Sequence, residues 1–367
     1  MLAAPVRAAA RPRAASAGAR RRAPPLCAGE DGSGTRTRPN GRGRPRRTIE
    51  NPSGVGSRRS QTGDASPAVG QDVSSASGMS VEEMYASLGV EDEPGKDRLW
   101  RAIRQEAKRD SEKEPALASF LYSTILAQSS LEDALSFHMA NKLSSPTLLS
   151  THLFELFRAA MDEDPTIGKA VRADILAVAE RDPACCSFSQ ALLYFKGFIA
   201  LEVHRVAHRL WQTGRRPLAL ALQSRVSENF HVDFHPAACI GSGLLLDHAT
   251  GIVVGETAVV GDNCSMLHHV TLGGTGSAGG DRHPKIGDCV LIGASSTLLG
   301  PIEVGCGAKI GAGSVVLTDV PAYTTFVGVP ARQLGEAKPP TSQPGTEMDQ
   351  TSYVEEFERN GWDDWVI

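Results

Sequence analysis

Only 20 of the 367 residues are aromatic, no apolar run approaches the length of a membrane span, and lysine is absent from the first 79 positions. Few rings means that any core must be filled mainly by aliphatic side chains. A bilayer requires roughly 20 consecutive apolar residues, so a transmembrane helix is excluded. Cysteine is scarce as well: there are seven, an odd number, with Cys185 and Cys186 adjacent and no CxxC spacing. That pattern argues against a disulfide framework or a structural zinc site and fits a reducing compartment.

The formal net charge of −4 conceals two unlike parts. Residues 1–79 carry 14 Arg and five acids, a balance of +9, which leaves −13 for the rest. This leader is Ala, Arg, Gly, Ser and Pro with almost no apolar periodicity, and no acid precedes Glu30. Such a stretch cannot bury enough surface to fold by itself. Its Arg-rich, Ser-containing, acid-poor composition marks an organelle transit peptide, excluded from the fold. A nucleic-acid-binding tail is the competing reading, but nothing downstream supplies a basic face with interleaved aromatics.

Ordered sequence is expected to begin at a capping box, Ser80-x-x-Glu83. Helical periodicity then continues to about Phe230. Leu117, Phe120, Leu121, Thr124 and Ile125 share one stripe, as do Leu153, Leu156, Phe157 and Ala160. The run from Ala191 to Leu210 reads as one long helix. Its His204 and His208 stand four apart, a spacing that suits a metal pair but more often marks satisfied structural side chains. Residues 80–231 are therefore a helical domain.

From residue 232 the composition changes. Between Pro236 and Gly335 there are 19 glycines and two aromatics, Tyr323 and Phe326. Ile286, Ile292, Leu298, Val304, Ile310 and Val316 recur every six residues. Leu298 and Val316, the two not followed by Gly, are 18 apart, which predicts three hexapeptides per coil. An earlier register of Ile240, Leu246, Val254, Val260, Met266 and Leu272 slips by two residues near Ile252 and Val253. Between the two runs, Gly273 to Lys285 is a polar, Gly-rich insertion expected to project as a loop.

This repeat resembles the left-handed parallel β-helix of hexapeptide-repeat acyltransferases. The segments VDFHPAACIG (232–241), LDHATGIVVGET (246–257), HHVTLGGTG (268–276) and GDRHPKIG (280–287), with RDPA (181–184) and YFKGF (194–198), resemble serine O-acetyltransferases, above all the plant and algal ones. The similarity covers roughly Leu99 to Leu334 and reappears at the C-terminus. It implies an α+β chain: a helical domain at 80–231 for oligomerisation and part of the serine site, a catalytic left-handed β-helix at 232–335, and a flexible tail at 336–367.

The chemistry of the residues agrees with that implication. Taking the proton of a serine hydroxyl as it attacks a thioester needs a base that titrates near neutrality, which an imidazole supplies. His248, flanked by Asp247, interrupts an apolar wall, and Asp233 lies 15 residues earlier, close to one coil. By resemblance His248 and Asp233 are the catalytic dyad. Serine is a zwitterion, so carboxylates must meet its ammonium and cations its carboxylate. The resemblance assigns Asp182 and Asp247 to the first task and Arg282 and His283 to the second. It places acetyl-CoA, the cosubstrate, along Gly274, Thr275, Ala294, Lys309 and Ala312, with no metal and no permanently bound cofactor. Position 277 is Ser where many family members carry Lys, so no contact is assumed there. Direct attack on the thioester is the expected mechanism; a double displacement would turn to Cys264 or Cys239.

After Gly335 comes KPPTSQPG, then an acidic end finishing WDDWVI. In the family, a terminal Ile enters the active site of O-acetylserine (thiol)-lyase, which makes Ile367 the expected partner contact. The resemblance further implies a trimer or dimer of trimers, with neither nucleic acid nor membrane as partner. The leader implies a chloroplast, alternatively a mitochondrial, destination. Two other readings share the β-helix. One is a γ-type carbonic anhydrase using His248, His268, His269 or His283 on zinc. The other is a silent regulatory subunit, against which the retained Asp233, His248, Arg282 and His283 argue.

Overall fold

A computed structural model of the chain describes residues 79–276 and 279–350; the leader, positions 277–278 and the last 17 residues, Ile367 included, lie outside them. The first helix, α1 (Val81–Ser87), begins at the expected capping box: Glu83 N donates to Ser80 Oγ at 3.3 Å, and Ser80 N to Glu83 Oε2 at 2.7 Å. Asp97 caps α2 (Arg98–Lys113). The 117–125 stripe forms one short irregular piece, α3 (Ala118–Leu121), preceded by a 3₁₀ turn and followed by a π turn at Tyr122–Leu126. Then come α4 (Leu131–Leu143), α5 (Ser150–Glu163), α6 (Pro165–Arg181), α7 (Phe188–Tyr194), α8 (Lys196–Gln212) and α9 (Arg216–Phe230).

The expected single helix over 191–210 is thus two helices, broken at Phe195, which is extended (φ −82, ψ 101). The break lets α8 restart against the β-helix. A Cβ at Gly197 would collide with Leu246 O and Ala249 Cβ, so only glycine permits this approach. His204 and His208 are structural: their rings donate to Ala238 O and Pro236 O at 3.2 and 2.8 Å.

Strands of two to four residues then wind a left-handed parallel β-helix. Its first face stacks β1 (Asp233–Phe234), β4 (Val253–Val254), β7 (Thr271–Gly273), β10 (Thr297–Leu299) and β13 (Val315–Val316). The second face stacks β2 (Cys239–Ile240), β5 (Val259–Val260), β8 (Lys285–Ile286) and β11 (Glu303–Val304). On the third lie β3 (Leu245–Leu246), β6 (Ser265–Met266), β9 (Leu291–Ile292), β12 (Lys309–Ile310), β14 (Thr325–Gly328) and the antiparallel β15 (Ala331–Leu334). Leu272 pairs with both Val254 and Leu298, so the loop at 274–284 leaves the ladder intact. The aliphatics of the six-residue registers fill the prism, and burial of each is worth about 1.5–3 kcal/mol.

The boundary at 231/232 falls between α9 and β1, yet Leu210, Phe230, Val232 and Phe234 belong to one core that continues from helices into prism. A buried ionic knot secures the junction. Arg205 on α8 pairs with Asp174 on α6 and with Glu202, and donates to Gly241 O at 2.8 Å, while Leu244 N donates to Asp174 at 2.8 Å. Burial and the neighbouring Asp174 raise the Glu202 carboxyl, so the knot holds one carboxylate per guanidinium.

Residues from Lys338 to Asp349 turn back onto the prism instead of trailing away. Lys338 N donates to Tyr323 O at 2.7 Å, Gly345 N to Cys289 O at 2.9 Å, and Ser265 Oγ to Gly345 O at 2.5 Å. Among the described residues, no helix is long and apolar enough to cross a membrane.

Two buried imidazoles set a pH dependence. Burial lowers His138 to about 4 and His204 to about 3, so both are neutral in the native protein. Unfolded histidine titrates near 6.5, so the unfolded chain binds more protons below that pH. The two imidazoles therefore lower stability as pH drops below about 6.5, while the raised Glu202 works the other way; the imidazole contribution is read as a smaller fall in urea midpoint between pH 7.5 and pH 5 in His138→Asn than in the unsubstituted protein.

Candidate active site

The two-residue register slip seen in the sequence is the corner Asp247–Gly251, where the third face turns into the first. Eight residues separate Leu246 from Val254 instead of six, and the surplus pushes His248 outward. His248 and Ala249 are consecutive left-handed residues (φ 55 and 57), a conformation disfavoured for both and held by tight local bonds: Ala249 N to Asp247 O at 2.6 Å, Thr250 N to His248 O at 2.7 Å. Lys196, at the start of α8, adds a bond to Thr250 Oγ1. The His248 side chain is 75% exposed, with Nε2 at 3.7 Å from Asp247 Oδ1.

Other groups gather at this edge. Asp182 ends α6, its Oδ1 taking Ala184 N at 2.8 Å. His268, one coil on, lies with its ring 5.8 Å from that of His248, and its Nδ1 is buried without a partner. The Asp247 carboxyl is raised by burial, against the pull of His248, with Asp182 pushing it further up. Two acids placed so that one raises the other in this way favour a cation between them.

Asp233 stands apart. Its Oδ1 accepts from Gln223 Nε2 of α9 at 2.6 Å, and its strand partner is Val253, five residues past His248. Among the described residues the carboxylate within 4 Å of His248 is that of Asp247, so the expected Asp233–His248 pair is not formed in this conformation.

Arg282 and His283 occupy the opposite edge, where the first face turns into the second. Thr257 organises them: its Oγ1 accepts from Arg282 N and His283 N at 3.1 and 3.2 Å and donates to His283 Nδ1 at 2.9 Å. That bond fixes the tautomer, leaving the proton on Nε2 as a donor. Burial, and then the Arg282 charge, lower the His283 pKa. Arg282 pairs with Glu256 at 2.8 Å, which together with its neighbours' charges keeps Glu256 ionised. A Cβ at Gly255 would strike the His283 ring, and one at Gly274 would lie 3.1 Å from its Nε2, so these glycines admit the imidazole and leave open backbone beside it.

Thr275 follows on the same edge, its methyl packed over Gly300. Ala294 and Ala312 are stacked on the edge of His248, two and three coils below, with Gly313 N donating to Ala294 O at 2.7 Å. Lys309 is elsewhere, buried on the third face beneath the returning segment, 3.7 Å from Asp349. Ile367 lies outside the described residues. Gly251 and Gly255, which abut His269 and His283, bracket the first face, so the two halves of the site are separated by about 13 Å of extended chain.

Among the described residues of one chain no three His, Cys, Asp or Glu converge as metal ligands. Cys264 is buried and its thiol pushed up to about 12, a poor nucleophile; Cys239 is exposed on the second face. Sequence reasoning did not find Gln223, Thr257, Glu256 or Lys196. Of these, Lys196, Glu256 and Thr257 lay within quoted motifs, and Glu256 and Thr257 were the more legible, as polar residues at a hexapeptide corner.

A helical domain fused to a hexapeptide prism, with acids and imidazoles at the prism's corners, defines the β-helical acyltransferases. Residues 99–203 match the serine acetyltransferase N-terminal family. The probable serine acetyltransferase 1 of Oryza sativa subsp. japonica is 59% identical over 269 residues, 73% of this chain and 87% of the rice protein. Soybean serine acetyltransferase complexed with serine is 65% identical, with a TM-score of 0.63, over 64% of this chain and 97% of that one. The serine acetyltransferase of Brucella abortus strain S19 in complex with coenzyme A is 51% identical, with a TM-score of 0.65, over 66% and 97%. The chain belongs to the serine acetyltransferase family and is an acyltransferase.

Proposed function

We propose that the protein transfers acetyl from acetyl-CoA to the hydroxyl of L-serine, giving O-acetyl-L-serine and CoA for cysteine biosynthesis. The observation that carries this reading is the inserted corner, which presents an exposed imidazole beside two acids at the end of α6 and β3. Asp182 and Asp247 take the serine ammonium, whose charge relieves the strain of placing two carboxyls together. His248 takes the hydroxyl proton, the oxygen adds to the thioester carbonyl, and the imidazolium returns the proton as the thiolate leaves. Gln223 engages one oxygen of Asp233, and this reading requires the exposed His248 side chain to turn toward the other. Asp233 then fixes the tautomer and stabilises the cation.

Arg282 and His283 face away from this edge in their own chain. We place them across a cleft between two copies of the protein, where they hold the serine carboxylate, with acetyl-CoA running past Gly274 and Thr275 of one copy and Ala294 and Ala312 of its neighbour. A closed trimer makes three such clefts. Release of CoA from acetyl-CoA on adding L-serine tests the activity. Co-expressing His248→Ala with Arg282→Ala tests the shared cleft: each variant alone is expected to be inactive, and mixed trimers to recover part of the rate. No recovery would place both groups in one chain's site.

The C-terminal end fits capture by O-acetylserine (thiol)-lyase. Deleting Ile367 is expected to abolish co-purification with the lyase while acetyl transfer is retained; unchanged co-purification would refute the contact. The leader supports delivery to the plastid, alternatively the mitochondrion.

A further inference from the structure

The edge where the second face turns into the third is built alike coil after coil, at 241–244, 261–264, 287–290 and 305–308. The second residue of each corner caps the coil before it. Asp262 Oδ1 accepts from Ser242 N at 2.6 Å, Asp288 Oδ1 from Asp262 N at 2.8 Å, and Cys306 Sγ from Asp288 N at 3.4 Å. The third residue is left-handed every time: Gly243, Asn263, Cys289 and Gly307 have φ of 71, 58, 57 and 65.

Two cysteines break this pattern. A thiol is a weak acceptor, so Cys306 does poorly what an aspartate does in the two preceding coils. Glycine and asparagine are at home at positive φ, whereas cysteine is not. Each cysteine thus stands where the local structure asks for another residue, and the two are neighbours. Pairing of β8 with β11 and of β9 with β12 sets Asp288 against Cys306 and Cys289 against Gly307. With about 4.8 Å between coils and about 3.3 Å along the chain, the Cα atoms of Cys289 and Cys306 lie about 6 Å apart, a separation that a disulfide spans. Gly307, next to Cys289 on the following coil, has no side chain to stand between the sulfurs. Cys306 is exposed, and Cys289 is half-buried where its carbonyl takes Gly345 N.

We propose that Cys289 and Cys306 are a reversible redox pair, joined as a disulfide by hydrogen peroxide. The exposed Cys306 meets the oxidant first. Its sulfur bonds to one peroxide oxygen as the O–O bond breaks, and the other oxygen leaves as water with the thiol proton, giving a sulfenic acid. The Cys289 sulfur then attacks that sulfur and displaces its hydroxyl, which takes the Cys289 proton and departs as a second water. Burial, and then Asp288, hold the Cys289 thiol up against the pull of Arg181, which suits it to the second step and not the first. The pair lies on neither the His248 edge nor the Arg282 edge, and does not depend on the function proposed for them.

Both cysteines fall in the tryptic peptide 286–309, which contains no other. The reduced full chain is exposed to hydrogen peroxide, its remaining thiols are alkylated, and this peptide is weighed. It is expected to have lost two hydrogens and to carry no alkyl group, and to regain both alkylation sites after dithiothreitol. Cys306→Asp and Cys289→Asn install the residues that neighbouring coils carry at these positions, so both variants are expected to fold, which an unchanged urea midpoint would verify. In Cys306→Asp, Cys289 is expected to stay alkylatable after peroxide. In Cys289→Asn, Cys306 has no thiol to resolve it and is expected to proceed to sulfinic acid, which dithiothreitol does not restore. Two alkylated cysteines in the peroxide-treated peptide, sulfinic acid at Cys306 of the unsubstituted chain, or a bridge from Cys289 to Cys264 instead would overturn the assignment.

Discussion

Replacing His248 with alanine is expected to lower kcat for acetyl transfer to serine by about 10²–10⁴-fold, the range that a positioned general base contributes. The side chain is three-quarters exposed and packs against nothing that the core needs, so the loss should come without a change in urea midpoint. Alanine already occupies the next left-handed position, Ala249, in the same corner, so the backbone there tolerates the smaller residue. Binding of acetyl-CoA should survive, because the residues proposed for its groove, Gly274, Thr275, Ala294 and Ala312, lie one or more coils away. The measurement is CoA release under saturating substrates, beside the CoA affinity of the same preparation. A variant with the wild-type kcat would remove His248 from the chemistry, and one that lost CoA binding as well would point to a misfolded corner.

The second large effect concerns the junction. Arg205→Met is expected to cost about 3–5 kcal/mol, because it strands the fully buried Asp174 beside Glu202 with no counter-charge. The same change also removes donors from the Ile240 and Gly241 carbonyls, which tie the first coil to α8. Asp174→Asn should be milder: once its neighbour is neutral, Glu202 can ionise and take over the guanidinium. The comparison is made by urea unfolding at pH 7.5. Equal losses for the two variants would mean that Glu202 cannot substitute, and a negligible loss for Arg205→Met would mean that the knot does not stabilise the fold.

Much of the architecture was legible because its determinants are local. Ser80 and Glu83 read as a cap and are one; the six-residue aliphatic rhythm reads as a prism, and its two-residue slip marks the His248 corner. Elements set by distant contacts were not legible. The Ala191–Leu210 run has unbroken helical periodicity, and the break at Phe195 comes from the demand that Gly197 touch Leu246 and Ala249, some 50 residues on. The proline-rich KPPTSQPG stretch looks like a spacer, yet Gly345 is bonded to Ser265 and Cys289. Likewise the acids and the Arg–His pair were recognisable as recognition groups, but their separation onto opposite edges depends on which corner each hexapeptide occupies.

The loop at 274–284 is bracketed by β7 and β8, and each of these is paired on both sides: β7 with β4 and β10, β8 with β5 and β11. The coils above and below therefore act as a ruler whose marks do not shift when material is inserted between them. Arg282 and His283 are carried on that insert. The end proposed to grip the substrate can thus be lengthened, shortened or exchanged as a unit, while the corner proposed to move the proton stays registered to the stack.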